Sequence, residues 1–277
     1  MGKTVLITGT SSGIGKATAL YFSDKGWNVI ATMRNPGLRN TDFEGRKNID
    51  VVALDVLNIS SIRNAIEHAV TKFGGIDVLV NNAGYATFGP FEASTPDIVR
   101  RQFHTNVEGL MDVTREILPL FRAQKQGTIV NVTSAAGRMT YPLYSIYNSS
   151  KWAVEGFSEA LLFELRPLNI KVKIIEPGII HTDFYERSKD VTKKEGLVDY
   201  DYLVETMVRF EGGLMKRKWY SPPVVVAKTI YQSVTDKSWK LRYHTGRFSG
   251  AILALRRILP ERVFLGMLRF FTLRFLA

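Results

Sequence analysis

The hydrophobic positions of this chain fall into two alternating patterns. Residues 5–7 (Val-Leu-Ile) form a short apolar run without alternation, as in a strand buried on both faces of a parallel sheet. Runs at 28–33, 49–54, 77–80, 128–132, 171–176 and 241–244 also read as strands. Between them apolar residues recur at helical spacing, as at Ile62, Ala65, Ile66, Ala69 and Val70 within residues 60–73. Helices are predicted at 16–25 with Gly26 as a stop, at 60–73 with Gly74 and Gly75 as stops, and from Pro96 onward, where Pro119 kinks or ends the helix. Another runs to about residue 166, where Pro167 stops it, and Pro222-Pro223 opens the next. Six or seven strands alternating with helices predict one α/β domain over residues 1–277. Its sheet is parallel and doubly wound, with helices on both faces. Residues 183–221 read as a polar insertion dotted with Phe184, Tyr185, Tyr200, Tyr202, Trp219 and Tyr220, expected to be a substrate loop or lid. Residues 246–277 read as a helical C-terminal extension.

An apolar fraction of 45% in 277 residues supports a substantial core. There is no cysteine, which excludes disulfides, a thiolate nucleophile and cysteine-ligated zinc. Met1-Gly2-Lys3 runs straight into the first strand, so no signal peptide is expected to precede it and the expected location is cytoplasmic. The net charge of +11 arises from 37 Lys and Arg against 26 Asp and Glu, with much of the excess at 216–218 and after Arg242. No nucleic-acid module accompanies it, so it reads as a solvated basic surface and no nucleic-acid partner is expected. His68, His104, His181 and His244 have no metal-ligand spacing, and no metal is expected.

Three stretches carry candidate chemistry. Thr8-Gly-Thr-Ser-Ser-Gly-Ile-Gly15 joins the first strand to the first helix. Backbone N–H groups and the helix dipole at such a junction hold an anion. Gly9 lets the chain turn, Gly13 lets the backbone approach a pyrophosphate, and Gly15 lets the helix pack close on the strand. The spacing is Gly-x-x-x-Gly-x-Gly, not the Gly-x-Gly-x-x-Gly of the common dinucleotide fingerprint, and a plain glycine-rich turn is the competing reading. Asn81-Asn-Ala-Gly84 follows the fourth strand, where asparagines can satisfy backbone groups of neighbouring strands. Tyr147 and Lys151 stand four apart, on one helix face. A tyrosine pKa of about 10 is too high for efficient proton transfer at neutral pH, and a nearby ammonium is expected to lower it. Ser134 lies thirteen residues earlier.

These motifs together resemble the short-chain dehydrogenase/reductase family, over residues 4–182. Thr32-Met33-Arg34 and the long extension look like its steroid and retinol dehydrogenase branch. The resemblance implies a Rossmann-type sheet, and hydride transfer between a nicotinamide and a carbonyl or secondary alcohol. It implies that Tyr147 gives or takes the proton and that Ser134 holds and polarises the same oxygen. Lys151 would support Tyr147 and bind the nicotinamide ribose, and Asn106 would complete a water-linked proton route. It implies cofactor contacts from Gly9, Ser11, Ser12, Gly13, Ile14, Gly15, Arg34, Asp55, Val56, Asn82, Ala83, Gly84, Tyr147, Lys151, Pro177, Gly178, Ile180 and Thr182. Met33 occupies the family's acidic position, so Arg34 beside it favours NADP(H) over NAD(H). Ser12 stands where some NADP-using relatives carry a basic residue. The competing functions are a non-catalytic nucleotide-binding regulator, opposed by the intact Ser134, Tyr147 and Lys151, and a dehydratase or epimerase of the extended branch, opposed by the short loop spacing. The expected partners are a small hydrophobic carbonyl or alcohol and further copies of the chain, in a dimer or tetramer.

In residues 263–277 only Arg269 and Arg274 interrupt an apolar run. It is too short for a spanning helix, which needs about 20 apolar residues, and too apolar to lie free in water. It can pack beside the substrate pocket, form a subunit contact, or lie on a membrane with its arginines toward the headgroups. The first is favoured, because an apolar lid suits a bulky apolar substrate.

Overall fold

Strand β1 (Thr4–Thr8) carries the logic of the whole sheet. Val5 and Ile7 join one core, with Val29, Val78 and Val130 of neighbouring strands and the helix residues Phe22 and Ile230. Leu6 joins the other core, with Ile30, Leu79, Ile129, Ile62 and Ile117. Each such side chain contributes about 1.5–3 kcal/mol when fully buried, so the three consecutive apolar residues at the centre of β1, Val5, Leu6 and Ile7, drive helices onto both faces. A computed structural model of the chain describes residues 2–38, 43–182 and 189–275. Phe184 and Tyr185 of the predicted insertion and residues 276–277 of the tail lie outside the described residues.

In chain order, β1 leads into α1 (Gly13–Asp24), β2 (Asn28–Met33), β3 (Ile49–Ala53), α2 (Ile59–Phe73), β4 (Val78–Asn81) and β5 (Ala86–Phe88). Then come α3 (Pro96–Phe103), α4 (Gly109–Gln124), β6 (Gly127–Val132), α5 (Ser145–Leu165), β7 (Ile170–Pro177) and β8 (Lys189–Val191). The C-terminal part adds α6 (Asp201–Lys216), α7 (Pro223–Thr235), β9 (Arg242–Thr245), α8 (Ser249–Ile258) and α9 (Glu261–Phe270). Seven strands form one parallel sheet in the order β3-β2-β1-β4-β6-β7-β9. This is the predicted doubly wound architecture, and the C-terminal extension is helical as expected.

Two local expectations change, and a third feature separates α3 from α4. Pro119 does not end its helix: α4 runs through it to Gln124. Pro119 is exposed, while Ile117 and Phe121 on either side are fully buried, and this packing outweighs the lost hydrogen bond of about 3 kcal/mol. Residues 183–221 are not one loop. They contain β8, which pairs in parallel with β5 as a second, two-stranded sheet, and the four-turn helix α6. Finally, α3 and α4 are joined by a π turn, His104–Glu108. That turn marks where the long helix is deformed around Asn106, and π turns of this kind gather at functional sites.

Candidate active site

The connections leave β1 and β4 in opposite directions, toward β2 and toward β6. Such a switch point opens a crevice at the C-terminal strand ends. A cavity of about 580 Å³ lies there. Of the predicted cofactor residues, every one but Gly15 lines it, together with Ser134. Gly15 and Asn106 lie behind the wall.

One end of the cleft is the glycine turn. Gly9 has φ +72°, and a Cβ on it would stand 2.9 Å from Ala83 Cα. A Cβ on Gly15 would stand 2.2 Å from the Gly9 carbonyl oxygen, so α1 could not approach β1 as it does with any larger residue. The Asn82 amide donates to the carbonyls of Thr8 and Gly9 at 3.0 Å each, and Asn81 donates to Asn131 at 2.9 Å and Thr114 at 3.0 Å. These bonds are the predicted strand-to-strand stiffening. Ser12 caps α1 without a side-chain hydrogen bond, and Ser11, Ser12, Gly13 and Ile14 all border the cleft. The helix start therefore fits a pyrophosphate. Met33 is buried in the cleft wall, and exposed Arg34 follows it at the rim. Asp55 also borders the cleft, while its carboxylate accepts from the Leu57 N–H at 3.0 Å. From the opposite side comes the segment after β7. Ser221 pins it, donating its N–H to Ile179 and accepting from His181, each at 2.9 Å.

The other end holds the ionisable groups. The Ser134 hydroxyl lies beside the Tyr147 phenol, and the Lys151 ammonium lies 5.8 Å from the centre of the Tyr147 ring. Lys151 donates to the Val132 carbonyl at 3.0 Å. Burial pushes the Tyr147 phenol up to about 12, against the lowering effect of the Ser134 hydroxyl. The expected depression of this pKa by the lysine is thus not what the protein environment alone produces. Burial instead takes Lys151 down to about 8, opposed by the charge of Glu155. Asn106, buried in the π turn, accepts from the Tyr85 N–H at 3.1 Å and donates to the Tyr85 carbonyl at 2.9 Å and the Ser150 hydroxyl at 3.2 Å. Its side chain thereby fixes the chain after β4 against α5. Gly84 passes close by, where a Cβ would stand 3.1 Å from Asn106 Oδ1.

Several lining residues escaped the sequence reading. Met207, Phe210 and Leu214 of α6 wall the cleft, as do Tyr141 and Tyr144. Leu203, Met207, Phe210 and Leu214 recur at helical spacing, the one signal that could have found this helix. Tyr144 donates to the Glu211 carboxylate, and Lys189 pairs with Glu211 at 2.8 Å, tying α6 to α5 and β8. No group of three or more His, Asp or Glu that could hold a metal occurs among the described residues.

The comparisons agree with this geometry. The short chain dehydrogenase family profile matches residues 3–193. An uncharacterized oxidoreductase of Schizosaccharomyces pombe is 42% identical over 234 residues, covering 84% of this chain and 96% of that protein. A 3-ketodihydrosphingosine reductase of Bacteroides thetaiotaomicron is 39% identical over 180 residues, 65% of each. The structure of ElxO with NADP bound superposes with a TM-score of 0.72 at 28% identity, covering 88% of this chain and 96% of that one. Chains that share the fold at lower identity carry NADH or NAD. The chain belongs to the short-chain dehydrogenase/reductase family. It is an oxidoreductase that works with a nicotinamide cofactor.

Proposed function

We propose that the protein is an NADP(H)-dependent reductase or dehydrogenase of a bulky hydrophobic carbonyl or secondary alcohol. The observation that carries this reading is the convergence of Ser134, Tyr147 and Lys151 at one end of a cleft whose other end is the glycine turn. The nicotinamide supplies or accepts the hydride. In reduction, the protonated Tyr147 hydroxyl gives its proton to the carbonyl oxygen, and the Ser134 hydroxyl donates a hydrogen bond to that oxygen and polarises it. Tyr147 is protonated at neutral pH, but burial makes its phenol a weaker acid than a free tyrosine, so proton release depends on the charge beside it. Lys151 holds its positive charge on the same helix face, where it stabilises the phenolate left behind and donates to the nicotinamide ribose. Asn106 positions the segment after β4 beside this centre. Gly178, Ile180 and Thr182 hold the carboxamide side, and Asp55 and Val56 the adenine.

Arg34 supports NADP(H): it stands at the rim after an apolar Met33 that offers a ribose hydroxyl nothing. The apolar wall formed by Met207, Phe210 and Leu214 supports a substrate with a large apolar body. The Bacteroides relative, named for a keto lipid, lends further support.

The test is nicotinamide absorbance with NADPH and a panel of hydrophobic carbonyls, on the wild type and on Tyr147→Phe. The variant keeps the ring and loses only the hydroxyl. Turnover is expected to fall by roughly three orders of magnitude or more, within the range ascribed to a positioned acid, with NADPH affinity little changed. A variant within about tenfold of the wild type would overturn the role of Tyr147.

A further inference from the structure

We propose that the outer face of the two C-terminal helices is a docking surface for an anionic lipid bilayer. The inner face of this pair is already satisfied. Leu253 of α8 and Phe264 and Leu268 of α9 are buried against Ala135 and Met139. The outer face is apolar as well, which a helix packed on a soluble core does not need. Leu255, Ile258, Val263, Leu265, Phe270 and Phe271 all expose 40% or more of their surface. Six exposed large apolar side chains within seventeen residues are a density that scattered singles do not reach.

The charges say what covers it. Arg257, Arg262 and Arg269 are exposed, and among the described residues no carboxylate forms an ion pair with them. Glu261, the one acidic residue of this stretch, is taken by Arg256 at 3.1 Å. Val263 and Phe270 are seven residues apart on one flank of α9, and Arg262 and Arg269 run beside them at the same interval. An apolar flank next to a row of unpaired arginines matches acyl chains below and anionic headgroups above. At the start of α8 the half-exposed Phe248 stacks edge-on with Trp219 at 5.6 Å, and the Arg217 guanidinium lies 5.4 Å from the same indole. Aromatic and basic groups together prefer the headgroup level. No described helix is long and apolar enough to cross a membrane, so the contact is one of lying on the surface. Beside it, Leu265 and Arg269 border a groove of about 780 Å³ that reaches Tyr141, and Tyr141 also lines the catalytic cleft. Tyr141 thus stands between the groove beside the docked face and the cleft.

The test is co-sedimentation of the full chain with vesicles of phosphatidylcholine alone, and of phosphatidylcholine with about one part in four phosphatidylserine, at low and physiological salt. Binding is expected only with the anionic vesicles, and weaker with salt. Replacing Arg257, Arg262 and Arg269 together by Gln should weaken it about a hundredfold, at roughly fivefold for each arginine. Val263→Gln with Phe270→Gln should weaken it as well, and circular dichroism checks that both variants are folded. Absence of binding to anionic vesicles, or equal binding by the arginine variant, would overturn the proposal. So would a wild type that ignores vesicles and forms a dimer which the Val263→Gln, Phe270→Gln variant loses, because a second copy of the chain would then cover the face.

Discussion

Lys151 keeps an ammonium where burial does not suit one. Its pKa falls from the usual 10.5 to about 8, so the folded protein releases this proton near pH 8 and the unfolded chain near 10.5. Between those values the unfolded state binds more protons, and stability from this group rises with pH. Relative to Lys151→Met, which has nothing to titrate, the wild type should gain about 1–3 kcal/mol between pH 8 and pH 10. Denaturant unfolding at the two pH values measures it, and a gap that stays flat or moves the other way contradicts the buried charge. Tyr147, pushed up to about 12, works against stability only above pH 10, outside that window. Arg34 is a second residue with a sharp expectation. An arginine on a 2′-phosphate makes charge-assisted hydrogen bonds worth about 1.5–3 kcal/mol. Arg34→Ala should weaken NADPH about ten- to hundredfold on that scale and leave NADH nearly untouched. Equal losses for both, in a fluorescence titration, would remove the 2′-phosphate from Arg34.

The elements differ in how far the chain announces them. β1, β2 and β4 were legible because each is a short apolar run, and the glycine turn and the Asn-Asn-Ala-Gly segment because their chemistry is local. Tyr147 and Lys151 were legible as an i, i+4 pair. Their proton affinities were not, because burial is set by tertiary packing around the start of α5. α6 was missed for a different reason. Gly212 and Gly213 near its end and exposed charges such as Glu205 and Arg209 read as loop, while the face made by Leu203, Met207 and Phe210 has value only against Phe88, Leu143 and Tyr144. Pro119 misled because packing on either side overrode propensity. The hidden face of α6 carries its own prediction. Met207→Ala with Phe210→Ala enlarges the apolar end of the cleft. It should raise KM for large hydrophobic carbonyls about tenfold or more, given 1–3 kcal/mol per lost pocket contact, and change KM for a small ketone little. Equal changes for both in steady-state assays would place the substrate elsewhere.

At the scale of the molecule, the tail packs against elements that border the cleft. Phe264 is fully buried and Leu268 nearly so, in the cluster with Ala135 and Met139 of the segment that follows Ser134. The turn after them, Phe271–Phe275, packs against α6. One end of the chain therefore braces both the loop beyond the proposed proton-transfer centre and the helix that walls the cleft. Removing it takes away two large buried apolar side chains, about 1.5–3 kcal/mol each, so truncation after Leu259 should lower Tm by several degrees on that scale. If the tail acts as a lid, the folded truncated enzyme should lose more than stability. Without its brace, α6 holds large substrates poorly, and KM should rise more for long hydrophobic carbonyls than for small ones, with the affinity for nicotinamide cofactor little altered at the far end of the cleft. Thermal unfolding and a paired set of steady-state assays separate the two effects. A truncated protein that melts earlier yet keeps every KM would make the tail a structural strap and leave closure of the cleft to α6 alone.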